Sequence, residues 1–362
     1  MRLSPRNVMI RETRIIIALL GIITLIALGM VLYQTKTIVL PFALACFLSF
    51  VLDPLITFFE KRKVPGAIAT VLALLVTFVV LNMFGMLIFS SIRSFSAESA
   101  QYQQKLDAIF QHLLKMLDIS PQIFSHEVTG AERLSLLHDI QNFSISGLIL
   151  RTMGSLLNFL SNTFLVMLFL LFILMGRNQL SCKMSEAFDA EFSVKITSIV
   201  DKINREIRRY LLAKTLISLV TGLLFTIALY SFGVEFALIW GILAFLLNFI
   251  PSIGSVVATF LPLSIAFIQF DNYLTFTFLA IILILIQVVI GNIIDPRLMG
   301  KQLNLSPLVV LFSLIFWGWL WGIIGMFLAV PITVMVKIIF ANIDSLRFLS
   351  VCMSKSKVLD VE

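Results

Sequence analysis

The sequence predicts an all-α, polytopic integral membrane protein, and three observations carry that prediction. Apolar residues fill 59% of the 362 positions and charged residues only 13%, against about 45–50% and about 25% in soluble domains; the mean hydropathy is +1.04. Apolar runs long enough to cross a bilayer recur along the chain, separated by short turns or basic loops. Two further runs, Phe236–Gln269 and Pro307–Phe340, extend over 34 residues each and are interrupted near their middles. A straight helix of that length would reach about 51 Å, well beyond a hydrocarbon core of roughly 30 Å.

The first span is Ile15–Tyr33, behind Arg2, Arg6, Arg11 and Arg14. Its outline resembles a signal sequence with a small-residue pattern at Ala27-Leu28-Gly29. The apolar run continues to Tyr33 and more spans follow, so an uncleaved helix is expected. A turn at Gln34–Thr37 leads to Ile38–Phe59, which holds Pro41 and Asp53-Pro54, and Lys61-Arg62-Lys63 precede the third span, Ala67–Ile92. Basic clusters mark the cytoplasmic side, which places residues 2–14 and 61–63 inside.

Residues 93–150 are then external. Tyr102, Leu106, Ile109, Phe110, Leu113, Leu114 and Leu117 recur at helical spacing and predict an amphipathic helix ended by Ser120-Pro121; a weaker helix is expected over Ala131–Ile140. The fourth span is Thr152–Met175. A loop follows with seven basic residues against five acidic ones, cytoplasmic by its charge. Within it, Met184, Phe188, Phe192, Ile196, Ile199, Ile203, Ile207 and Tyr210 step by threes and fours as the stripe of a long amphipathic helix. Leu211–Phe232 is the fifth span, with Lys214 near enough to its start to snorkel to the cytoplasmic side.

The first broken segment comes next, then a plain span at Tyr273–Ile294, a polar loop at Asp295–Ser306, the second broken segment and a basic tail. The expected division is 1–92, three membrane helices; 93–150, the external segment; 151–175, the fourth span; 176–210, the cytoplasmic helix; 211–340, a transport core; and 341–362, a cytoplasmic tail.

Each broken segment is either a re-entrant hairpin, giving six full spans plus two hairpins, or a single crossing, giving eight. Both solutions leave both termini inside. The loop carrying Arg297 and Lys301 separates them, and its basic charge together with the length arithmetic favours hairpins.

Non-helical backbone at membrane depth survives only where protein or a wet cavity covers it, and paired broken helices point to a transport site. The first break, Asn248-Phe249-Ile250-Pro251-Ser252-Ile253-Gly254, with Pro262 beyond it, has proline to remove an amide donor and glycine to open backbone geometry. It reads as a substrate path whose freed backbone groups serve a ligand, or as a plain kink. The second motif is Gly291-Asn292-Ile293-Ile294-Asp295-Pro296-Arg297, then Gly300-Lys301 and Pro307. Ionisable groups at membrane depth are functional candidates because burying them is unfavourable, so Asp295 and Asp53 are the ion-coupling candidates. Asp295 could pair with Arg297, Lys301 or a cation, or serve only as an Asp-Pro turn. The third group, Gly322, Gly325 and Pro331, belongs to the second broken segment, where glycine spacing also suits close helix packing.

The three cysteines, Cys46, Cys182 and Cys352, are scattered and predict no disulfide framework. His112, His126 and His138 match no metal spacing, and no nucleotide-binding or hydrolase motif is present. No metal, cofactor, enzymatic activity or nucleic-acid partner is expected. The +7 charge is read as membrane orientation rather than nucleic-acid binding.

In order and spacing, three groups of residues resemble the AI-2E family of bacterial membrane proteins, also described as PerM-type permeases. They are Asn248-Phe249-Ile250-Pro251…Gly254…Pro262, Gly291-Asn292…Asp295-Pro296-Arg297-Leu298-Met299-Gly300-Lys301, and Leu305-Ser306-Pro307…Gly318…Trp321-Gly322…Gly325…Pro331. Leu40-Pro41-Phe42 and Pro54-Leu55 extend the likeness toward the N-terminus. The resemblance implies a secondary transporter of the bacterial inner membrane, with members linked to export of autoinducer-2 and others to sodium or lithium/proton antiport. Ser252 and Ser255 stand where the family often has Tyr and Pro, so the transport class carries over and the substrate does not. The expected partners are membrane lipid, a small polar solute or a monovalent cation, and further copies of the chain. A membrane scaffold acting through its amphipathic helices, or a channel, is the alternative; flux or single-channel recording separates them.

Overall fold

The computed structural model describes residues 19–21, 23–24, 26–87, 90, 145–176, 190–270, 272–299 and 304–355. Among them no strand forms, and the only β-type pairing is an isolated bridge between Leu305 and Ser354. The helices are α1 (Leu19–Gln34), α2 (Lys36–Lys61), α3 (Gly66–Leu87), α4 (Ile145–Gly176), α5 (Ala190–Ser231), α6 (Ala237–Leu247), α7 (Ile253–Gln269), α8 (Tyr273–Val289), α9 (Pro307–Ala341) and α10 (Arg347–Met353). Five of the elements are long and apolar enough to cross a membrane. Phe172, Leu223, Phe260 and Phe312 are each more than half exposed, whereas Lys214, Ser218, Thr221 and Asn248 are buried. Apolar side chains outside and polar ones inside identify lipid as the surrounding solvent.

Several boundaries differ from the sequence expectation. The turn expected at Gln34–Thr37 narrows to Thr35. α4 begins at Ile145, inside the segment read as external. The amphipathic helix and the fifth span, expected to meet at 210/211, are one 42-residue helix. Nothing between Ala190 and Thr221 is glycine or proline, so no residue there breaks it. At about 63 Å, α5 exceeds the bilayer core by roughly a factor of two. Its charged half, with Lys202, Arg205, Arg208 and Arg209, must leave the hydrocarbon. The expected loop at Asp295 is also helical: α8 continues through a π-turn, Ile290–Ile294, into Asp295–Met299. A proline ring clashes with the carbonyl four residues back in an ordinary α-helix, and the wider turn ahead of Pro296 relieves that clash. The expected helices over 102–117 and 131–140, and the three histidines, lie outside the described residues.

Contacts divide the chain into two compact units. One holds residues 53–167 and 209–302. In it, α6 and α7 form the first hairpin. Gln269, at the end of α7, accepts from the Glu235 amide at 3.0 Å and donates to the Gly233 carbonyl at 2.7 Å. The segment therefore returns to where it started. Arms of 11 and 17 residues reach only about 16 and 25 Å, so neither spans a roughly 30 Å core. Phe225, Leu229, Ala244, Ala258, Ala266, Leu279 and Leu283 knit α5, the hairpin and α8 into one buried cluster.

The other unit holds residues 1–52, 168–208 and 303–362. Here α9 folds back on itself at Gly322, whose φ of 67° and ψ of −147° are open essentially to glycine alone. Across the fold, Ser313 donates to the Ala329 carbonyl at 3.0 Å and bonds Thr333. Near the hairpin's start, Ser306 N–H donates to Met353 and Lys355 N–H to Asn304, while Lys337 from the returning arm also donates to Asn304. At the tip, Trp321 donates its indole N–H to the Leu32 carbonyl and Trp319 stacks on Tyr33. Both broken segments are thus hairpins, the first of the two topologies.

Candidate functional site

The tip of the first hairpin closes on itself. The amides of Phe249, Ile250, Ile253 and Gly254 all donate to carbonyls within Leu246–Pro251, so the break does not hold these amides ready for a ligand, which the substrate-path reading expected and the plain-kink reading did not. Ser252 has φ 60° and ψ −57°, and Ile253 N–H meets the Pro251 carbonyl at 2.6 Å. This is a γ-turn of the rare positive-φ type, strained for a residue other than glycine. Gly254 is needed for closure: a Cβ there would lie 1.8 Å from the Leu247 carbonyl oxygen. Pro251 caps the tip and Pro262 lies buried within α7.

What the tip offers is a side chain. Asn248 is 7% exposed and donates to Ser218 Oγ at 3.1 Å and to Thr221 Oγ1 at 3.4 Å on α5. These contacts fall 10–13 residues before the end of α5, about 15–20 Å along its axis, near the middle of a bilayer core. The approach is allowed by Gly222 and Gly241, where a Cβ on either would meet the other's carbonyl oxygen at 2.6 Å.

One turn along α5 from Ser218 stands Lys214, 4% exposed. It does not snorkel: its Nζ lies 2.9 Å from Asp295 Oδ2 on α8. Arg297, the nearby partner expected for Asp295, is exposed instead, and Gly300 and Lys301 lie outside the described residues. Gly291, Asn292 and Pro296 are exposed as well, whereas Ile294 and Asp295 are half-buried, the Asp295 side chain 25% exposed. Lys214, Ser218 and Thr221, spaced four and three apart, form one stripe on α5.

Three buried side-chain oxygens among the described residues have no hydrogen-bond partner: Thr215 Oγ1, Gln287 Oε1 and Asp295 Oδ1. All three sit on α5, on α8 or on its continuation past the π-turn. Gln287 and Asp295 are eight apart, and the π-turn between them takes up one residue, so the pair falls near two full turns and both face inward. Buried polar atoms are almost always satisfied, which makes this stretch the candidate for contact with a polar species.

The remaining sequence candidates have other roles. Pro307 is the first residue of α9, behind the Ser306 cap. Gly322 is the turn of the second hairpin, and Gly325 faces Trp317 so closely that a Cβ would lie 1.9 Å from its carbonyl oxygen. Pro331 is buried in the returning arm. Asp53 is half-buried in α2, its carbonyl bonded by Thr57. Sequence reading gave no weight to Ser218, Thr221 or Gln287 and misplaced Lys214. The available signal was that Lys214 is the one charged residue between Arg209 and Glu235, with hydroxyl residues following at helical spacing.

Comparison with known proteins bears on the same region. The model of the AI-2E family transporters matches residues 22–345. The AI-2 transport protein TqsA of Escherichia coli is 35% identical over 332 residues, covering 89% of this chain and 90% of its own. A Borreliella burgdorferi protein named for transport is 34% identical over 88% of this chain and 85% of its own. YhhT of Escherichia coli, also named for transport, is 29% identical over 88% and 89%.

Proposed function

The chain belongs to the AI-2E transporter family, and from that premise we propose that it is a secondary transporter carrying a small polar metabolite, such as AI-2, past the stripe of Lys214, Ser218, Thr221 and Asn248. The observation that supports this most is the set of three unpartnered buried oxygens on α5 and α8 beside a buried ion pair. Lipid supplies no hydrogen bonds, so such atoms are favourable only if a hydrated or polar species visits them. Asn248 would read the solute's hydroxyl or carbonyl groups, and the first hairpin, entering half the membrane, would separate the niche from one side.

Energy would come from an ion gradient or from the solute's own gradient. The free Oδ1 of Asp295 supports a second reading, monovalent cation/proton antiport. The protein is assigned to the bacterial inner membrane with both termini inside, on the basic half of α5 and the positive-inside rule. Self-association is expected because amphipathic stripes need apolar partners. The test is flux into proteoliposomes under imposed proton or sodium gradients, with AI-2 and with sodium, lithium or protons as the moved species. Solute movement lost in Asn248→Leu supports the first reading. Cation movement without solute movement supports the second, and no movement of either removes the transport proposal.

A further inference from the structure

Asp295 already has a cation beside it, and that cation is part of the chain. We propose that Lys214 is a tethered substitute for a coupling ion: its ammonium occupies the place that free sodium or lithium would take, so the niche does not bind these ions while Lys214 is present. The proposal deepens the solute-transport reading, argues against sodium or lithium antiport at this niche, and rests on the transport reading only for its meaning in a transport cycle.

The argument begins with charge. A carboxylate held against an almost fully enclosed ammonium is disfavoured unless the two charges lie close together. Lys214 Nζ, 2.9 Å from Oδ2, supplies one full positive charge from a side chain only 5% exposed. Hydrogen bonding is left incomplete. Asp295 Oδ1 has no partner. Hard cations take carboxylate oxygen, which is what Asp295 offers. An ammonium and a sodium ion carry the same charge, but the ammonium is fixed to α5 and cannot leave. Tyr210, one turn before Lys214 and buried, also faces Asp295; it is neutral as a phenol and does not balance the carboxylate. Removing the ammonium leaves both oxygens of the Asp295 carboxylate without a partner, a negative charge open to a free ion.

The experiment is thermal unfolding of the full chain in detergent, in sodium chloride, lithium chloride and choline chloride at equal ionic strength. Wild type is expected to melt at the same temperature in all three. Lys214→Met is expected to melt several degrees higher in sodium or lithium than in choline, and Lys214→Met/Asp295→Asn to lose that difference. If Lys214→Met gives no folded protein, Lys214→Gln, which keeps a donor toward Asp295, carries the same comparison. Two results overturn the proposal: a sodium-specific rise in wild type that disappears in Asp295→Asn, or a folded Lys214 variant indifferent to the cation. A wild type inert in flux with this salt pattern intact would sink the transport reading and leave the site standing. Solute flux with the salt pattern absent would do the reverse.

Discussion

Lys214 and Asp295 illustrate how a single pair can dominate local energetics. Replacing a buried ion pair by apolar groups is often neutral, whereas removing one partner strands a charge at a cost of about 3–5 kcal/mol. Asp295→Asn, which strands the enclosed Lys214, is therefore expected to lower stability by about 3–5 kcal/mol, Lys214→Met in choline, which strands the quarter-exposed Asp295, by less, and the double variant to recover most of the loss. Thermal unfolding of the four proteins in detergent completes the cycle, and additive losses would show that the pair is not coupled. Asn248 makes a smaller claim. Thr221 already donates to the Ile217 carbonyl, so Asn248→Leu leaves chiefly Ser218 without its partner. A loss of about 1–3 kcal/mol is expected for one unsatisfied buried group, with solute flux falling more steeply than stability.

Each hairpin is an element that glycine makes possible. Gly254 and Gly325 stand on the returning arms of two different hairpins, and each presses on an outgoing-arm carbonyl that a Cβ would approach to 1.8 or 1.9 Å. Backbone cannot step aside as a side-chain tip can. Gly254→Ala and Gly325→Ala are accordingly expected to cost more than about 3 kcal/mol, at the upper end for single substitutions, with yield of folded protein in detergent as the measure. Ser252 predicts the opposite sign. Its positive φ stores roughly 1–3 kcal/mol of strain that glycine does not suffer, so Ser252→Gly is expected to raise the melting temperature. Any fall in flux in that stabilised variant would assign the serine hydroxyl or the strain to transport.

For the whole molecule the decisive property is topology. Both broken segments return to their starting side, so each leaves the chain on the face from which it entered. If both termini are inside, as proposed, six full spans put position 302 on the inside as well. A cysteine at 302 should resist an impermeant thiol reagent in intact cells and react after permeabilisation; labelling from outside would refute the hairpin topology.

Much of this was legible in one dimension because lipid imposes simple demands on sequence. Length and hydropathy mark the spans, basic loops orient them, and Pro251 with Gly254 or Gly322 with Gly325 mark where two overlong segments fold. These are consequences of local backbone chemistry and bilayer thickness, and they needed no tertiary information. The site was only partly visible for the opposite reason. Asp295 was recognised as a buried carboxylate risk, yet its partner lies 81 positions away, and only packing α5 against α8 could choose Lys214 over the nearer Arg297. Likewise the hydroxyls of Ser218 and Thr221 look like ordinary helix residues until Asn248 reaches them from a hairpin tip. Sequence determined the solvent, the helices and their breaks; the tertiary structure decided which polar groups meet, because pairing at depth depends on which helix faces turn toward each other.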